Sequence, residues 1–418
     1  MFRALAFLLI TGALFAQDAA LARLKQELKT ARDQEIGEER KAQEEKDRTG
    51  VWPETEKGRA AARIARVHAA LVSWIESQLP MGHSAAAVKS SDWEAAMGRQ
   101  IAAVGMDEKP SPETAETGPF SFELPGFDHV SATLTWKPEL PDILLITAGV
   151  GVRCGEDQAV YGYRFDANGW ARVISDHPQS DWGSSAAPVE LSDADAQGRR
   201  LLLIHRWSVQ CASTWMGASY SVIRIANDAA TPPVTLLSGE HGFWMGNEDD
   251  GLLFALKPNE LIIELLDNSV DAGIHNRTEI HRYSFVDGVK RLDPVAFQPQ
   301  DFAEEWLTRP WSEMQSRSAA ETQKWHGKLH ADFVLGEYSN VVPCASKPDR
   351  WSIGLAISHA GEKELKEPLE AHFLVRELGN YRFEMEAVSD SEFEGCPGEG
   401  SPSDKHPWLS VEQLKALP

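Results

Sequence analysis

Three stretches of the chain repeat one another at fixed offsets, and a repeat confines a chain to architectures assembled from copies of one supersecondary unit. At an offset of 57, Leu144-Leu145-Ile146 aligns with Leu201-Leu202-Leu203, Val152 with Val209, Cys154 with Cys211 and Tyr163 with Tyr220. At an offset of 120, Lys137-Pro138 aligns with Lys257-Pro258, Ile143 with Ile263, Leu145 with Leu265, Tyr163 with Tyr283 and Phe165 with Phe285. Each copy opens on an apolar strand, crosses a polar loop, returns through a tyrosine-bearing strand such as Tyr161-Gly162-Tyr163-Arg164-Phe165, and turns at residues like Asp166-Ala167-Asn168-Gly169. A period near sixty suits a propeller blade or a repeated sheet motif. Three copies are fewer than the roughly four to eight blades of most propellers, so either other segments complete a ring or the domain is a sandwich.

The flanks follow a different period. Leu21, Leu24, Leu28 and Ala31 recur at three-four-three spacing in a charged segment from Asp18 to Arg48, which puts them on one helical face. A second helix follows Trp52-Pro53 with Ile64, Val67, His68, Leu71, Trp74 and Ile75 in a broad stripe, where His68 reads as a core or boundary histidine. A third starts at the capping pattern Ser91-Asp92-Trp93-Glu94. Residues 17–106 are thus expected to be helical, 107–118 a linker, and 119–298 the repeat-built β domain. Residues 299–418 read as an α+β domain: a helical segment broken at Pro310, then antiparallel strands at Phe333-Val334-Leu335, Trp351 to Ile357, His372 to Arg376 and Tyr381 to Val388. A competing reading makes Val334 to Ile357 a fourth copy, because ten residues separate Val334 from Cys344 just as they separate Leu144 from Cys154. The expected class is mainly β with α+β parts.

Met1-Phe2-Arg3 followed by the apolar run Ala4 to Ala16 reads as a secretory signal peptide over residues 1–16, too short to span a bilayer. The expectation is an exported protein, periplasmic or secreted, without stable membrane insertion once the signal is removed. Composition agrees with a globular chain, at 42% hydrophobic and 25% charged residues. Without the signal, 40 Lys and Arg face 63 Asp and Glu, a net charge of −23 that repels nucleic acid. Four cysteines in an exported chain are expected to be paired. Three pairings are open, and loop closure within each module favours Cys154–Cys211 and Cys344–Cys396.

Before the second copy stands Ser192-Asp193-Ala194-Asp195-Ala196-Gln197-Gly198-Arg199-Arg200, acids at alternate positions, then a glycine, then a strand. This resembles the calcium loop of FG-GAP/VCBS repeats in integrin-α-type propellers, over residues 119–297 at most. The resemblance implies a calcium site with Asp193 and Asp195 as ligands and Gly198 at the turn. Gln197 and Leu201 stand where the motif carries further acids, and a hard cation needs several oxygens.

Other motifs each lack a required residue. His326 and His330 have the spacing of a zinc-ligand pair, yet Gly327 stands where the general-base glutamate belongs. Gly82-His83-Ser84 echoes a nucleophile elbow but follows a helix and Pro80 instead of a strand. Among fourteen tryptophans, Trp182, Trp207, Trp215 and Trp244 fall in or near polar loops of the repeats and are the candidates for a binding surface. The expected function is a non-enzymatic binding or interaction protein with a protein or glycan partner, with no catalytic residue assigned. The alternatives are a secreted hydrolase acting on envelope polymers or glycans, and a calcium-stabilised structural module.

Overall fold

The computed structural model describes residues 2–51, 59–79, 99–101, 104, 126–152, 155–166, 169–177, 185–186, 189–209, 215–228, 230–244, 252–269, 275–292, 295–296, 298–330, 333–359, 369–396 and 409–417. The chain is mainly β, and it divides into two compact units, Met1–Gly242 and Phe243–Pro418. No closed barrel occurs among the described residues.

In the first unit, helices α1 (Phe2–Thr49) and α2 (Arg59–Gln78) precede a meander of β1 (Val130–Trp136), β2 (Ile143–Val152), β3 (Gly155–Asp166) and β4 (Gly169–Asp176). A second sheet holds β5 (Ser185–Ala186), β6 (Glu190–Leu191), β7 (Arg200–Val209), β8 (Trp215–Ile225) and β9 (Val234–Trp244). The border with the second unit falls near the end of β9.

The expected helical stripes are the buried ones. Leu24, Leu28 and Ala31 of α1 and Ile64, Val67, Leu71, Trp74 and Ile75 of α2 pack with Leu144, Ile146, Ala148 and Val150 of β2 and with Ala159, Tyr161 and Tyr163 of β3. The alternate residues Ile143, Leu145, Val160 and Ile174 face the other way and pack against Leu202, Ile204, Ile223 and Ile225. The first sheet is therefore covered on both faces. That explains why β2 reads as an almost unbroken apolar run instead of alternating with polar residues.

The second unit has a third sheet of β10 (Leu252–Lys257), β11 (Glu260–Ser269), β12 (His275–Ser284), β13 (Lys290–Arg291) and β14 (Val295–Ala296). Helices α3 (Pro299–Thr308), α4 (Trp311–Met314) and α5 (Gln323–Leu329) then lead into a fourth sheet. Its strands are β15 (Phe333–Cys344), β16 (Lys347–His359), β17 (Leu369–Gly379) and β18 (Arg382–Ser389), before a last helix α6 (Val411–Lys415). Pro310 does break the helical segment, as the residue preceding α4. Phe302, Trp306 and Met314 pack on Ile353, Leu355, Phe373 and Met385 of the fourth sheet. Cys344 and Cys396 form the expected disulfide.

The repeat aligns equivalent strands in three sheets. Leu144, Leu201 and Ile263 stand on β2, β7 and β11, and Tyr163, Tyr220 and Tyr283 on the strands that follow, β3, β8 and β12. The fourth sheet is also a four-stranded meander, but Val334 lies on its first strand whereas Leu144 lies on the second of its own. The shared ten-residue spacing to a cysteine therefore does not superpose equivalent strands.

Residues 409–417 cover the third sheet: Leu409, Leu414 and Leu417 pack against Ala255, Ile262 and Ile280. Under them Glu264 of β11 is fully buried, and its carboxylate oxygens accept one N–H, that of Leu409, at 3.2 and 3.1 Å. Burial pushes its pKa up to about 7, against the opposing pull of the Leu409 N–H.

Candidate functional site

The first unit brings together three residues that are distant in sequence. The apolar stripe of α2 turns His68 toward the first sheet along with Val67 and Leu71, and only 1% of His68 remains exposed. On β3, Asp157 shares a face with Ala159, Tyr161 and Tyr163, the face that meets the helices, and it is 0% exposed. The β3–β4 register ends at Val160↔Asp176, so the next residue, His177, arrives beside that same face.

The three side chains converge on one oxygen. Asp157 Oδ2 lies 3.0 Å from His68 Nε2 and 2.7 Å from His177 Nε2. The two imidazole rings are 4.2 Å apart between centroids, tilted by 48°. His68 Nε2 also reaches the Asp157 carbonyl oxygen at 3.1 Å. An ionised carboxylate only accepts, so in this arrangement both Nε2 atoms donate. Burial works against the Asp157 charge, but the hydrogen bonds from His177 and His68 outweigh it and hold the carboxyl below its usual range. Burial likewise pulls His68 below the ordinary histidine value, with Asp157 opposing it.

Arg206 of β7, 1% exposed, braces the backbone on either side. Its guanidinium donates to the Gln158 carbonyl at 3.0 Å and the Asp176 carbonyl at 2.8 Å, and pairs with the Asp176 carboxylate at 2.5 Å. Those two residues are the immediate neighbours of Asp157 and His177. Two imidazole nitrogens and one carboxylate oxygen at a common point are donors for a borderline cation, not for an oxygen-seeking one such as calcium.

Sequence reasoning placed His68 on the buried stripe but missed its partners. Asp157 sits in a strand whose other inward residues are Ala and Tyr, and an acid on that alternation was the available signal; His177 had none.

The other candidates fall as follows. Asp193 is exposed, while Asp195 Oδ1 accepts the backbone N–H groups of Gln197 and Arg199, each at 2.9 Å, and Oδ2 accepts Arg199 Nε at 2.8 Å. Desolvation opposes its charge, yet the Arg199 side chain and those N–H groups keep its pKa low. Gly198 takes φ +76°, the left-handed conformation that closes this turn.

His326 Nε2 meets the Arg309 carbonyl at 2.9 Å and His330 Nδ1 the Leu307 carbonyl at 2.6 Å, so this pair satisfies carbonyls left over at the end of α3. Trp207 is half-buried near the end of β7, and Trp215 and Trp244 occupy the first position of β8 and the last of β9, their side chains lying outside what is described. Trp182, Ser84, Cys154 and Cys211 lie outside the described residues.

No family model matches the chain, and no curated protein matches it. Among solved structures it is similar to one described as a complex of BT0996 and RGII, at 9% identity, covering 66% of this chain and 91% of that one with a TM-score of 0.17. A likeness that faint carries no argument about fold or function.

Proposed function

We propose that this is an exported, non-enzymatic binding protein of the cell envelope or extracellular space, whose partner is a protein or a glycan. The observation that supports the reading best is the end of the second sheet. Along β7, Leu201 and Leu203 are buried, whereas His205 and Trp207 on the same face are half-buried, so the strand runs out of its core toward an aromatic. Because β7 and β8 pair antiparallel with Val209↔Met216, Trp215 begins β8 at that same sheet end. Indole faces gathered at a rim suit stacking on sugars or anchoring in a partner's pocket.

The Cys344–Cys396 disulfide fits an oxidising compartment, and among the described residues no helix is long and apolar enough to cross a membrane. The test is retention of glycans on an array, and of envelope proteins on the immobilised chain, compared between wild type and Trp207→Ala with Trp215→Ala. Loss of a saturable ligand at unchanged Tm supports the proposal; retention by the double variant refutes the rim as the binding surface.

A further inference from the structure

We infer that His68 Nε2, Asp157 Oδ2 and His177 Nε2 form a site for one first-row divalent cation of the zinc class, a property independent of the partner-binding reading. Each residue offers one ligand atom, and these atoms all lie within 4.8 Å of one another. Bonds of about 2.0–2.2 Å meeting at tetrahedral angles set donor atoms about 3.3–3.5 Å apart. The observed 3.0 and 2.7 Å contacts of Asp157 Oδ2 therefore need to open by only about half an ångström or slightly more for the cation to replace the two shared hydrogens.

The donor set selects the ion. Two imidazoles and one carboxylate suit zinc, cobalt or iron(II), whereas calcium and magnesium require oxygen shells that these residues do not offer. The surroundings favour a held charge. His68 and Asp157 come from two elements whose packing fixes them, α2 and β3, and Arg206 ties down the backbone next to Asp157 and His177. His68 Nδ1 has no hydrogen-bond partner among the described residues, so the packing of α2, not an outer acceptor, aims that ring. The His177 side chain is 17% exposed while the other two are sealed, so water reaches the site from the His177 side and supplies the fourth ligand.

The experiment uses the full chain, stripped with chelator and dialysed, with zinc chloride titrated calorimetrically and cobalt chloride followed by its visible absorption. The expected result is one equivalent bound per chain, a zinc-dependent rise in Tm, and no competition from calcium. His177→Ala, at the least buried of the three positions, weakens uptake by about 100-fold or more while far-ultraviolet circular dichroism is unchanged. His177→Cys restores a ligand and adds a thiolate-to-cobalt charge-transfer band, a readout that a merely structural histidine does not give. Failure of the wild-type chain to bind at micromolar zinc, uptake unaltered by His177→Ala, or the absence of that band in a folded His177→Cys chain overturns the inference.

Discussion

Replacing Glu264 with Gln should stabilise the second unit at alkaline pH and leave it nearly unchanged in acid. Glu264 lies on the face of β11 that also carries Ile262, opposite Ile280 and Leu253, under a lid of Leu409, Leu414 and Leu417. Its single charge-stabilising partner is the Leu409 N–H, and burial raises its pKa from 4.5 to about 7. The unfolded chain gives up this proton near 4.5, while the folded chain keeps it until about 7. Between those values the unfolded state binds fewer protons, so stability declines as pH rises, and above 7 the whole penalty is present.

At about 1.36 kcal/mol per pH unit the ceiling is about 3.4 kcal/mol, and relaxation of the site with water entry brings the working expectation to about 2 kcal/mol. Gln keeps the side-chain oxygen that accepts the Leu409 N–H and carries no charge. For a unit of this size the gain at pH 8 corresponds to about 4–8 °C in the melting transition, shrinking to about 1 °C at pH 4. Differential scanning calorimetry of Glu264→Gln beside wild type across that range is the assay. A difference between the two proteins that does not vary with pH, or a variant less stable at pH 8, refutes the assignment of Glu264 as a buried, reluctantly ionised acid.

Three further outcomes follow from the packing. A methyl group on Gly162 would stand 2.8–3.0 Å from three carbons of the buried Ile174, so Gly162→Ala costs about 1–3 kcal/mol in chemical denaturation and recovers part of it when combined with Ile174→Ala. The Cys344–Cys396 crosslink spans 52 residues, for which loop-closure entropy gives about 4 kcal/mol; Cys344→Ala with Cys396→Ala should lower stability by about 2–4 kcal/mol, and reductant should then have no additional effect. Arg206→Met leaves two carbonyls and the Asp176 carboxylate without their buried donor and should cost about 3–5 kcal/mol by urea unfolding, whereas a loss under about 1 kcal/mol would mean that water replaces the guanidinium.

The repeat and the helical stripes were legible because they depend on local period: Leu24, Leu28, Val67 and Leu71 recur at helical spacing, and the aligned Leu and Tyr positions recur on equivalent strands. The Cys344–Cys396 pairing was legible from loop closure. The His68–Asp157–His177 convergence was not, because it joins a helix face to two strands across 89 and 20 residues, and no local pattern encodes which inward acid a buried histidine will meet. The alternate acids of the Asp193 loop were conspicuous in sequence, yet in the fold Asp195 is engaged by its own turn and by Arg199, since short-range N–H donors lie closer than anything else. The strand spacing that suggested a fourth copy failed for a related reason: a cysteine ten residues away fixes a distance along the chain, not a place in a sheet.

The lid over β11 also sets a timetable. Glu264 and Leu409 are 145 positions apart, so at about 5–20 residues per second a ribosome needs about 7–30 s after making β11 before the covering leucines exist. Throughout that interval Ala255, Ile262 and Ile280 form an apolar face with its cover still unsynthesised. A nascent chain in that condition cannot lock its third sheet early, and it offers holdase chaperones a defined place to bind while translation continues.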